Sequence, residues 1–199
     1  MAYPTVSSTY GMTPVNLIGG QVFAGSTRWI PLDTGSATAI FYGDIVKLNS
    51  AGTIDKDAGT SSATPVGVFL GCTYTDATYG KTFRQFYPGA ITASDIVAYV
   101  LDDPDALFKV AVVSTGTTIS YANRTVVGNN AVLVQNSGST ATGNSRNAVS
   151  STTATTSTWP LRIVDVVAET AVAGYPGSYT EVVVKWNQGM HQYLNPTGV

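Results

Sequence analysis

Apolar and polar positions are patterned most clearly near the middle of the chain. Ile96-Val97-Ala98-Tyr99-Val100-Leu101 is a β-branched and aromatic run, the kind of side chain that packs well on a pleated surface. Asp102-Asp103-Pro104-Asp105 follows, and Pro104, which has no N–H to donate and restrains its predecessor, breaks the ladder. The chain resumes with Phe108, Val110 and Val112 on one face and Leu107, Lys109 and Ala111 on the other. The pattern predicts a strand, an acidic turn and a second strand.

Similar runs recur on both sides. Ile40 to Leu48 reads as a strand kinked at Gly43, with Asn49-Ser50-Ala51-Gly52 as a turn and Thr53-Ile54 as a short return. Asp55 to Thr64 reads as a polar loop, Pro65 to Gly71 as a strand, and Thr73 to Lys81 as a polar excursion. Thr82 to Tyr87 is an imperfect strand that places Phe83, Gln85 and Tyr87 on one face. Thr115 to Asn123 is the one weak helical candidate. Val126 to Val134 holds two apolar pieces around Gly128-Asn129-Asn130, a turn signal. Gln135 to Thr158 is a Ser/Thr/Asn/Gly tract read as a loop with a short strand near Ala148-Val149. Leu161 to Ala168 and Glu181 to Trp186 are strong strands, the latter with Val182, Val184 and Trp186 on one face.

Short strands separated by turn signals, with almost no helical period, predict an all-β fold: a single β-barrel or β-sandwich domain with extended N- and C-terminal arms. The N-terminal arm, lying on a neighbour or along its own domain, is assigned to residues 1–24, which carry no charged side chain and are broken by Pro4, Gly11, Pro14, Gly19 and Gly20. The β domain is assigned to 25–186 and the C-terminal tail to 187–199.

Composition narrows the function classes. The 199 residues suit one β domain with a sizeable core, but only 11% are charged, against roughly 25% in ordinary soluble domains. A net charge of −2 provides no drive toward phosphate backbones or anionic lipid, so neither nucleic acid nor membrane is an expected partner. Few charges also weaken protection against association, which fits a surface covered by partners. Cys72 is the only cysteine, so the fold does not depend on an intrachain disulfide. The N-terminus lacks a basic region followed by an apolar run, and synthesis in a cytoplasm is the expectation.

Candidate chemistry is sparse. His191 is the sole histidine, and no serine sits in a nucleophile elbow that would give it a catalytic partner. Cys72 ends an apolar run and reads as a small buried hydrophobe rather than a nucleophile. One Cys and one His do not make a structural zinc site. Asp102, Asp103 and Asp105, and separately Asp55 and Asp57, have calcium-ligand chemistry, but neither group matches the calcium-loop pattern ending in Glu. The favoured reading for both is a turn in which Asp side chains accept nearby backbone N–H groups. Asn123-Arg124-Thr125 matches the glycosylation sequon and reads as chance without an export signal. The eleven Tyr and three Trp are spread along the chain, which favours core and interface use over a sugar platform. No enzyme activity, cofactor or metal is assigned, and no catalytic set can be named.

Several short stretches, taken in order, resemble a family of tailed-bacteriophage virion proteins of the head-decoration or cement type. They are Gly11-Met12-Thr13-Pro14-Val15, Ala24-Gly25-Ser26-Thr27-Arg28 with Ile30-Pro31-Leu32, Ile40 to Leu48, Pro65-Val66-Gly67-Val68-Phe69, Asp102 to Val110, Thr152 to Thr156 leading to Pro160-Leu161-Arg162-Ile163-Val164, and His191-Gln192-Tyr193. The resemblance departs at Lys109, where an acidic residue is expected in relatives. It implies a non-enzymatic capsid decoration protein on the outer surface of the virion head, bound to the major capsid protein and bridging capsomers. It also implies a homo-oligomer, a homodimer on a local two-fold or else a homotrimer. Residues 1–24 and the tail from 187 would then be interface arms. The alternatives are a tail or baseplate subunit, a carbohydrate-binding β module and, last, a hydrolase.

Overall fold

The computed structural model describes residues 6–171 and 179–199. The central pattern forms as predicted, giving β7 (Val97–Leu101) and β8 (Ala106–Val113). These strands do not pair with each other. The acidic turn carries the chain from one sheet into another.

β8 belongs to a closed five-stranded barrel with β9 (Asn130–Val134), β10 (Ala148–Ala154), β11 (Leu161–Val166) and β12 (Glu181–Trp186), ordered β8-β10-β9-β11-β12 and back to β8. The β8–β10 contact is parallel, with Val149 opposite Val112, and the remaining pairings are antiparallel. Phe108, Val110 and Val112 fill the barrel together with Leu133, Val149, Leu161, Val182, Val184 and Trp186. Each such burial is worth roughly 1.5–3 kcal/mol. The alternation read from β8 and β12 is therefore the barrel's inside and outside.

The second sheet runs β2 (Arg28–Pro31), β7, β5 (Gly67–Asp76), β3 (Ile45–Leu48), β4 (Ile54–Lys56), with β6 (Gly80–Arg84) pairing β5. A Leu32–Ile54 bridge draws its outer strands together around a second core of Ile30, Val46, Ile54, Phe69, Cys72, Ala98 and Val100. Ile45, Val68 and Leu101 lie on the opposite face of this sheet and join the barrel core, so the two lobes share one interface.

Three expectations change. β5 runs through the supposed polar excursion to Asp76 and turns into β6, with Thr73 opposite Phe83 and Thr75 opposite Lys81. Threonine suits a half-solvated strand as well as a loop, and here buried Tyr74 alternates with more exposed Thr73 and Thr75. The helical turn lies one step later than expected, at Arg124–Val126, capped by the Asn123 side chain accepting the Thr125 N–H. β10 extends the short strand at Ala148-Val149 into the Ser/Thr tract because β8 and β9 flank it.

Over their described residues the arms lie along their own domain, one of the two placements expected of the N-terminal arm. β1 (Thr13–Leu17) pairs with β8, and Met12 is fully buried in the barrel-side core. Tyr10 donates to the Glu181 carboxylate, and Lys109 lies 3.3 Å from the same oxygen. The tail likewise returns to the domain. Asn187 donates from its side chain to the Ser157 and Trp159 carbonyls, and Gln192 clasps Leu48 through both its amide oxygen and nitrogen. Lack of charge and of period reads as an arm in the sequence. In the fold it marks segments whose backbone groups and small side chains are satisfied by distant strands.

Candidate docking surface

On β7 the residues at 97, 99 and 101 point to the face opposite the second core. Leu101 is covered by the barrel, whereas Tyr99 projects beyond it. Antiparallel register places Trp29 of β2 directly opposite Tyr99, and Gly71 of β5 on its other side. The result is a ridge of three aromatic rings across the sheet. Trp29 meets Tyr99 edge to face at 5.4 Å and 88°, and Phe83 from β6 meets Tyr99 at 5.8 Å and 49°. Trp29 is 68% exposed and Phe83 61%.

Gly71 makes this packing possible. A Cβ there would lie 2.9 Å from the Phe83 ring, and its backbone has φ +137°. The ridge is thus the uncovered continuation of the face on which the barrel packs. Such concentrations of exposed aromatic area are typical of interaction surfaces.

The sequence-predicted chemistry falls elsewhere. In the acidic turn Asp103 Oδ1 accepts the Asp105 N–H at 2.8 Å, as the turn reading requires. Asp102 does something different: its Oδ2 lies 2.7 Å from Arg28 Nε, and the Arg28 guanidinium also sits 5.0 Å from the centre of the Tyr193 ring. Asp105 pairs with Lys185 at 3.4 Å. In the other candidate group Asp57 accepts Gly59 and Thr64 backbone N–H groups, while Asp55 accepts from the Asn49 amide. Among the described residues no three His, Cys, Asp or Glu side chains gather to hold a metal ion.

Cys72 is buried in the second core, and burial pushes its thiol up to about 12. His191 is fully buried. Its Nδ1 accepts the Tyr193 N–H at 3.3 Å, and burial holds its pKa below the ordinary value.

Two arrangements were not legible in the chain. The first is the ridge, whose one signal was that Ile96–Leu101 is apolar on both phases, as in a strand covered on both faces. The second is Asp44, fully buried, which accepts from the Phe41 N–H, Lys56 Nζ at 2.8 Å, Ser145 Oγ and Asn147 Nδ2. That carboxylate ties β4 and the loop before β10 to the kink at Gly43, and all of its donors serve structure. Of the cavities, the one of about 410 Å³ beside the β5–β6 turn is lined by Thr75, Asp76, Thr78 and Thr92 among others, with Asp76 its single carboxylate.

No protein-family model matches the chain, and no curated protein or solved structure is significantly similar to it.

Proposed function

We propose that the chain is a structural capsid decoration protein that docks on the outer face of a phage head through the second sheet and bridges neighbouring capsomers. The observation that carries this reading is the Trp29–Tyr99–Phe83 ridge, an exposed aromatic face that continues an interface already used between the lobes. The co-linear resemblance along the chain and its sparse charge support the same reading. A bridging protein adds contact area and multivalency to a pressurised shell without chemistry of its own.

The convergence of three aromatics on one face also favours a second reading, carbohydrate binding. That mode uses flat, accessible ring faces. Here the planes are turned 88° and 49° from Tyr99, a stepped surface better suited to interdigitating side chains than to a flat sugar ring.

Electron microscopy of the intact particle tests the proposal. Symmetric density over the head supports it, copies along the tail support the tail or baseplate reading, and absence from the particle overturns both. Binding of the Trp29→Ser/Phe83→Ser double variant to purified expanded heads then tests the ridge. Full occupancy by that variant would remove the ridge from the interface, and retention on a glycan array would favour the sugar reading.

A further inference from the structure

We propose that His191 is a pH-operated latch, whose protonation in mildly acidic solution releases residues 190–199 from the domain while the barrel stays folded. The latch lies outside the ridge and does not depend on the docking proposal.

The geometry begins with the tautomer. Tyr193 donates its backbone N–H to His191 Nδ1, so that nitrogen is an acceptor and the ring proton of the neutral imidazole resides on Nε2. The ring is fully buried, 6.2 Å from Trp186 and 5.4 Å from Tyr193 between ring centroids. Among the described residues its Nε2 and the neighbouring Trp186 Nε1 are buried with no partner in good hydrogen-bonding geometry, although the Val66 and Asp102 backbone carbonyls lie close enough to the ring to favour its charge. A second ring proton can be added only at Nδ1, where it meets the Tyr193 N–H donor head on. Protonation therefore removes that bond and places a charge on a fully buried ring. The ring leaves the site with its charge, and the tail leaves with the ring.

The surrounding charges modulate this and do not cancel it. The Val66 carbonyl from the loop before β5, both the carboxylate and the carbonyl of Asp102, and the Asp103 carboxylate, the latter two residues from the β7–β8 turn, favour the imidazolium. Asp102 is already paired with Arg28, which itself lies over Tyr193. β12 presents the uncharged Trp186. Burial is the largest influence on the ring and opposes its charge.

The tail is built to come away as a unit. Asn187 is anchored separately to Ser157, Trp159 and Pro160, and Gly189, at φ +83°, follows as a hinge. Beyond it the holding contacts cluster on three consecutive residues: His191, the Gln192 clasp on Leu48 with its N–H to the Pro65 carbonyl, and Tyr193 beside Arg28. The same three residues join the barrel to the second sheet, so unlatching exposes Trp186 and loosens the junction of the lobes.

Hydrogen exchange on the full chain, from about pH 8 to about pH 5 and corrected for intrinsic rates, tests the latch. Below about pH 6.5 the tail's opening constant should rise by about tenfold per pH unit while β8 and β12 amides stay protected. His191→Asn, which keeps an acceptor near Nδ1 and cannot titrate, should abolish that rise. Because His191 is the only histidine, its imidazole ¹⁵N shifts in the unaltered chain provide an independent reading should the variant not fold. They should show an Nε2–H tautomer at neutral pH and a midpoint that coincides with tail release. Tail protection that is flat with pH, that falls equally in His191→Asn, or that is lost together with β8 overturns the proposal, as does an imidazole midpoint distinct from the release.

Discussion

Asp102 Oδ2 lies 2.7 Å from Arg28 Nε, joining the end of β7 to the start of β2. The first residue of the acidic turn is therefore an ion-pair partner, and the turn itself is held by Asp103. The two roles separate under mutation. Arg28 is more than half exposed, so Asp102→Ala should cost under about 1 kcal/mol, and the loss should shrink in high salt. Asp103→Ala loses an Asx-turn hydrogen bond and should cost about 1 kcal/mol whatever the salt concentration. Urea unfolding at low and high ionic strength distinguishes them.

Asp44 should be the most sensitive carboxylate in the chain. Its removal strands Lys56 Nζ, Ser145 Oγ, Asn147 Nδ2 and the Phe41 N–H at a buried site. Asp44→Ala should cost about 3–5 kcal/mol, the range for breaking a buried pair from one side. Lys56→Met, which leaves the other donors in place, should cost less. Equal effects of the two substitutions in chemical denaturation would show that the Lys56 pair alone governs this node.

The ridge should behave oppositely, with little effect on folding and a large effect on docking. Trp29→Ser and Phe83→Ser remove exposed rings and should change stability by less than about 1 kcal/mol each. Gly71→Ala should be worse than either, because its Cβ meets the Phe83 ring at 2.9 Å and its φ suits only glycine. Thermal melts of the three variants rank these effects directly.

Stability should fall in acid through two separable windows. The folded pKa of His191 is held below its unfolded value of 6.5, so the unfolded chain binds the extra proton first. Stability attributable to this group is complete above that value and declines as pH falls below it. Asp76 and Asp95 have lowered pKa values because they accept hydrogen bonds from Thr78 and Tyr79 and from Thr75. Their contribution is present above the ordinary carboxylate pKa and is lost as pH falls through their folded values. Chemical denaturation across pH should show the first decline vanish in His191→Asn and the second persist.

Truncation after Asn187 should expose Trp186, which His191 covers. A red shift in tryptophan emission and a lower melting temperature are expected, with the barrel still folded. Deleting residues 1–24, by contrast, removes β1 and Met12 and should prevent stable folding, so surface substitutions are the sharper probe of docking.

What the chain determined by itself was local. Alternation in Ala106–Val113 and Glu181–Trp186 matched the inside and outside of the barrel because period-two patterning needs no knowledge of the partner strand. Pro104 and the Asp103 side chain placed the turn for the same reason. The rest depended on contacts between residues distant in the chain. Whether Thr73-Tyr74-Thr75 forms strand or loop was decided by Phe83 and Lys81 lying opposite. The uncharged N-terminus became a strand because β10 pairs only with Val112 and Val113 and leaves the Ala106–Lys109 stretch of β8 to β1, and the sole histidine became buried because the tail returned to Trp186. The ridge joins Trp29, Phe83 and Tyr99 from three strands, an adjacency set by sheet register and by a glycine small enough to let the rings meet.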